Sequence, residues 1–261
     1  MRYILFFALA LLASGCTEVI QLDLNDANPR VVIEGYVNDL PGPYYVQVGR
    51  SQGINDTGEA EAIGGAQVII SSSDGQRDTL REMAGGLYAT QQLVGRTGVT
   101  YYLAVVSEGN EYTSVSSMPA KVTLDTAFTQ MQAVQGGESI VPVLEFQDPA
   151  ADANYYNFVT RKDGFALPGF YAMDDGLRNG TYISRPLRNS DFGLKSGDWI
   201  EVELQCVEKS VYEYFYVLGQ AAGTGMSQSA TPANPQGNIT GDAVLGCFSA
   251  HTVSKKLIQV P

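Results

Sequence analysis

Thiol and imidazole groups, the side chains most used for covalent and metal chemistry, are scarce in this chain, which has three cysteines and one histidine. With His251 alone, zinc sites built on several histidines are excluded, H-E-x-x-H among them, and there is no C-x-x-C pair. A Ser-His-Asp triad would have to use His251, yet no G-x-S-x-G elbow accompanies it. The residue sits in a Thr/Ser/Val-rich, strand-like run and reads as structural. Gly219, Gly223 and Gly225 follow a helical pattern instead of opening one, so they do not form a phosphate-cradling fingerprint. Asp174-Asp175-Gly176 with Asn179-Gly180 lacks the spaced acids and closing Glu of an EF-hand and reads as a tight turn. Paired carboxylates for glycoside hydrolysis stay open among the 28 acids, because their separation is spatial and not sequential. No catalytic set, metal site or cofactor is therefore expected.

Cys16 closes a different pattern. Arg2 precedes the apolar run Tyr3 to Ala13, which ends in Ala13-Ser14-Gly15-Cys16. The run is shorter than the roughly 20 residues of a membrane-spanning helix and fits the apolar core of a secretory signal. Small residues directly before a cysteine resemble the bacterial lipobox, in which the thiol receives a diacylglycerol and cleavage leaves it as the first residue. Residues 1–15 are thus expected to be a signal peptide, and Cys16 the acylated start of a tether over 16–28. Each buried CH₂ of an acyl chain contributes about 0.8 kcal/mol, which anchors a multiply acylated protein without a transmembrane helix. Cys206 and Cys247 would then lie outside the cytoplasm, either as a disulfide or as two buried thiols. Asp125-Thr126-Ala127 and, less well, Asp78-Thr79-Leu80 resemble D-(S/T)-apolar sites of bacterial protein O-glycosylation; the alternative is ordinary turn or strand residues.

The elements that must position these groups are mostly strands. Only 17% of residues are charged, and 28 Gly and 11 Pro favour short strands and turns over long helices. Residues 29–120 hold about seven strand-like runs separated by turn signals, which predicts an immunoglobulin-like or transthyretin-like β-sandwich. Its longest break, Ser51 to Gly65, is acidic and Gly-rich and reads as an exposed contact loop. Residues 121–261 read as a second β-rich domain with strands at Ile140 to Phe146, Tyr155 to Thr160, Gly180 to Leu187, Asp198 to Val207 and Ala243 to Val260. In Asp198 to Val207, apolar positions alternate with Glu201, Glu203 and Gln205, which predicts one wet face with Cys206 pointing inward. One short amphipathic helix is expected, opened by a Ser210/Glu213 capping box and carrying Val211, Tyr214, Phe215 and Leu218 on one face.

A net charge of −12 with no basic cluster argues against nucleic-acid binding and against anionic lipid surfaces. The Arg161 to Gly180 stretch mixes Arg161, Lys162, Phe165, Phe170 and Tyr171, a combination suited to glycan or peptide contact. The plainer reading is that the aromatics cap a core and the charges solvate a loop.

Several short patterns occur in a characteristic order. They are Ile20-Gln21-Leu22-Asp23-Leu24 after the lipobox cysteine, Val31-Val32-Ile33-Glu34-Gly35, Ala66-x-Val68-x-Ile70, Gly86-x-Tyr88 and Gly98-x-x-Tyr101-x-Leu103. Met118-Pro119, Phe146-x-Asp148-Pro149 before Asn154-Tyr155-Tyr156, Tyr212-x-Tyr214-Phe215, and Asn238-Ile239-Thr240-Gly241 before Leu245-Gly246-x-Phe248 complete the series. In this order the chain resembles the Bacteroidota lipoprotein family known as DUF4249. The resemblance implies an outer-membrane lipoprotein, with no established activity, that acts as an accessory or ligand-capture module beside a SusC-like TonB-dependent transporter. The alternatives are a cell-surface hydrolase using unidentified carboxylates and a structural or adhesive envelope protein.

Overall fold

The structure is a computed structural model that describes residues 29–52, 60–134, 136–224 and 235–261. The lipobox with Cys16, and positions 53–59 of the predicted contact loop, lie outside the described residues. In the first half the chain forms β1 (Val31–Asn38), β2 (Tyr45–Arg50), β3 (Gln67–Ser72), β4 (Arg77–Thr79), β5 (Arg81–Ala84), β6 (Leu87–Ala89), β7 (Thr100–Ser107) and β8 (Asn110–Ser117). The second half adds β9 (Thr126–Val134), β10 (Gly137–Gln147), β11 (Tyr155–Lys162), β12 (Phe165–Ala166), β13 (Tyr171–Asp174), β14 (Tyr182–Pro186) and β15 (Trp199–Val207). Helix α1 (Lys209–Ala221) follows, and β16 (Ile239–Thr240) and β17 (Val244–Gln259) end the fold. Among the described residues the protein is mainly β with one short amphipathic α-helix, as its composition and turn spacing predict.

The largest sheet has nine strands in the order β12-β11-β15-β17-β1-β2-β6-β5, with β13 also paired to β11. One face of it is covered by two smaller sheets, β16-β8-β7-β3-β4 and β14-β10-β9. Strand alternation decides which residues go there. On β1, Val31, Ile33 and Val37 enter a core shared with Val68 and Ile70 of β3 and with Tyr101, Leu103 and Val105 of β7. A second core joins Leu144 and Phe146 of β10 to Tyr156 and Phe158 of β11 and to Ile200, Val202 and Leu204 of β15. Markers of the sequence pattern serve this packing. Asp148 is buried, accepts the Gly180 N–H at 2.8 Å and takes the Tyr156 hydroxyl. The Asn238 side chain pairs with both backbone groups of Phe248, like an extra strand residue, at 2.7 and 2.8 Å.

Strand β17 joins the two halves. Residues 244–251 run parallel to β1, and residues 252–259 run antiparallel to β15. Without that pairing β1 would present an open edge of backbone donors and acceptors. The expected division at 120 therefore needs correction: both sheets of the first sandwich receive a strand from beyond residue 235, β17 beside β1 and β16 beside β8.

The disulfide alternative is also corrected. Cys206 and Cys247 are both buried and both free. Cys206 belongs to the core between the sheets, whereas Cys247 packs under α1 on the other face of the same large sheet. Register separates them further, since Cys206 lies opposite Thr252, five positions from Cys247. At about 3.3 Å per residue that offset exceeds the roughly 7 Å Cα separation a disulfide tolerates.

Candidate functional site

Helix α1 lies on the face of the large sheet left open by the two smaller ones. Its Val211 and Tyr214 are buried against Val207 and Cys247, with Phe215 and Leu218 packed beside them. The N-terminal cap differs from the capping box expected at Ser210. Glu208 is the N-cap residue, Ser210 falls within the first turn, and its hydroxyl donates to Glu208 Oε1 at 3.0 Å. Beyond the helix, Gly223 takes the left-handed conformation at φ 71°, a regular helix stop. Gly219 brings the helix close to the segment Pro168 to Phe170, because any Cβ there would stand 2.6 Å from the Phe170 carbonyl. Thr224 fixes the same segment, accepting the Phe170 N–H at 3.2 Å and donating back to its carbonyl at 3.1 Å.

Between this strap, the helix and the sheet lies a cleft of about 450 Å³. Phe170, Phe215, Leu167 and Leu218 supply an apolar wall, and the Phe170 and Phe215 rings stack with centroids 6.2 Å apart. The floor is polar. Asn157 Nδ2 donates to Gln205 Oε1 at 2.8 Å, and Gln205 Nε2 donates to Glu203 Oε2 at 3.0 Å. The chain ends where Arg161 Nε donates to Glu203 Oε1 at 3.1 Å. Farther along, Ser249 Oγ meets His251 Nδ1 at 2.9 Å, and the Tyr36 ring lies 5.9 Å from the imidazole. Tyr214 donates weakly to Glu34, an exposed carboxylate at the cleft mouth, at 3.4 Å.

Burial sets the protonation of these groups. It pulls the His251 pKa down to about 4, although Asp39 pushes the other way, so the imidazole is neutral at neutral pH. Burial likewise drives the Cys247 thiol up to about 12, helped by the Glu208 and Glu34 carboxylates, and keeps it protonated. The Tyr214 hydroxyl is raised well above its usual range by burial first and by Glu34 second.

Of the five residues singled out for ligand contact, Arg161 and Phe170 meet in this cleft, and Lys162 pairs with Asp198 instead. Phe165 stands 80% exposed beyond it on β12. Tyr171 is 4% exposed and packs on Phe192 in the core between the sheets, so for this residue the plainer reading holds. Thr126 and Thr79 are both exposed, at the start of β9 and the end of β4. The neighbouring Asp78 is committed to structure, since its Oδ2 accepts the N–H groups of Gln91, Gln92 and Leu93. Sequence reasoning missed Asn157 and read His251 as structural, without its place beside the cleft. The alternation of Glu203 and Gln205 was legible, but it predicted a wet face where the strap and helix leave these residues 7% and 8% exposed.

Among the described residues no helix is long and apolar enough to cross a membrane, and no group of His, Cys, Asp and Glu is arranged to hold a metal ion. No curated protein is significantly similar to the chain. The family profile for the domain of unknown function DUF4249 matches residues 17–257, nearly the whole length, so the chain belongs to that family.

Proposed function

We propose that the protein is a non-enzymatic, lipid-anchored outer-membrane module that captures a glycan or peptide ligand beneath α1 for a SusC-like TonB-dependent transporter. The cleft carries this reading. Sites for organic ligands are of this size and set a few convergent polar groups against apolar and aromatic surface. Here Asn157, Gln205, Glu203 and Arg161 hold one another in place, so a ligand meets a floor already ordered. A hydrolase is less well supported, because a histidine titrating near 4 is a weak general base at neutral pH. The mature protein, presented to glycan and peptide arrays, is expected to bind a defined class saturably. Phe170→Ala or Arg161→Ala should weaken that binding by about tenfold, the usual loss for a central contact, while Phe165→Ala leaves it unchanged. Equal binding by all three variants, or no ligand on either array, would remove the cleft reading.

A further inference from the structure

Behind the strap that walls the cleft is a second hollow of about 590 Å³, bounded by the end of β9, the end of β14 with the turn after it, and the residues following α1. Its charge is opposite to that of the molecule. The chain has 28 acids against 16 lysines and arginines, yet Arg185 and Arg188 both line this hollow, and Asp191 is the sole acid among the described residues that do. That carboxylate already accepts the Ser190 hydroxyl at 3.1 Å. Arg188 Nε donates to a neutral partner, Gln132 Oε1, at 2.8 Å. The Asn189 side chain fixes the turn between them, donating to the Pro168 carbonyl at 3.0 Å and accepting the Asp191 N–H at 2.9 Å. Arg185 is half-buried, and burial, followed by the nearby guanidinium groups of Arg178 and Arg188, weakens its hold on its proton. Guanidinium groups brought near one another repel, and an anion placed between them relieves that repulsion.

We propose that this hollow is an oxyanion site, in which Arg185 and Arg188 receive a carboxylate or phosphate group carried by a small soluble ligand. The guanidinium fork matches both groups in bidentate geometry. An overall charge of −12 repels polyanionic surfaces, which favours a small anion able to enter the hollow over a membrane or nucleic acid. This site stands apart from the capture cleft, since the strap from Pro168 to Tyr171 separates them.

Calorimetric titration of the mature protein in mild detergent with citrate and, separately, inorganic phosphate, at ionic strength held constant with chloride, tests the proposal. Saturable binding of at least one is expected. Arg188→Gln should weaken it by about tenfold or more, as loss of a charge-assisted hydrogen bond does. Arg96→Gln, which removes a distant exposed ion pair with Asp74, should bind as the wild type does. Citrate without phosphate would assign a carboxylate ligand, and the reverse a phosphorylated one. Arg185→Gln supplies a second variant, but Arg188 is exposed, so its replacement decides the matter even where the change at half-buried Arg185 perturbs folding. No saturable binding of either anion, or equal binding by Arg188→Gln and wild type, overturns the proposal.

Discussion

His251 couples the packing of the cleft floor to pH. Its pKa falls from 6.5 for a free imidazole to about 4 in the fold. Between those values the unfolded chain binds a proton that the folded one refuses, so stability is complete above about pH 6.5 and declines as pH drops toward 4. A depression of this size corresponds to at most about 3.5 kcal/mol. Urea unfolding at pH 7 and at pH 4.5 should therefore show a loss that shrinks when His251→Asn removes the titrating group. An identical loss in both proteins would exclude His251 as its source. At this scale the sequence showed the residue types but not their company. Arg161 and Phe170 were legible as a cation and an aromatic in one stretch. Asn157 and Ser249 were not, because a lone polar residue on a strand reads as solvated until something is known to cover it. The same reasoning misplaced Tyr171, whose ring fills the core while its neighbour Phe170 faces the cleft.

Among the elements, β17 governs the architecture. Gly246, at φ 113°, lies so close to β1 that a Cβ would sit 1.9 Å from the Ile33 carbonyl. The parallel pairing with β1 thus needs a residue without a side chain at this point. Since both sheets of the first sandwich take strands from beyond residue 235, a fragment of residues 29–120 should fail to fold alone. Circular dichroism and amide exchange on that fragment are expected to show no cooperative unfolding and little protection; a cooperative, protected fragment would contradict the shared-sheet account. Most strands were readable from alternation and turns, and the expected Asp198 to Val207 differs from β15 by one residue at its start. Strand β9 escaped notice because Thr126 to Val134 lies on a sheet edge, where its side chains are only partly covered and the two-residue period is weak. Parallel pairing between β1 and β17 was hidden for another reason. Contacts between residues more than two hundred positions apart leave no local mark in the chain.

At the scale of the whole molecule, the proposed role depends on where the protein is held. A lipid on Cys16 would confine it to the membrane plane and raise the local concentration of a membrane partner without a strong interface. Cys16→Ala is expected to release an uncleaved or soluble form, read by membrane fractionation and intact mass. Unchanged fractionation and mass would end the lipoprotein reading.

The most direct test of the capture proposal is co-purification. Tagged protein, crosslinked in the cells that produce it and extracted in mild detergent, should bring down a SusC-like barrel in stoichiometric amounts, and deleting the gene should impair growth that depends on that transporter. If the protein purifies alone after crosslinking and its loss leaves such growth unchanged, it is not a transporter accessory.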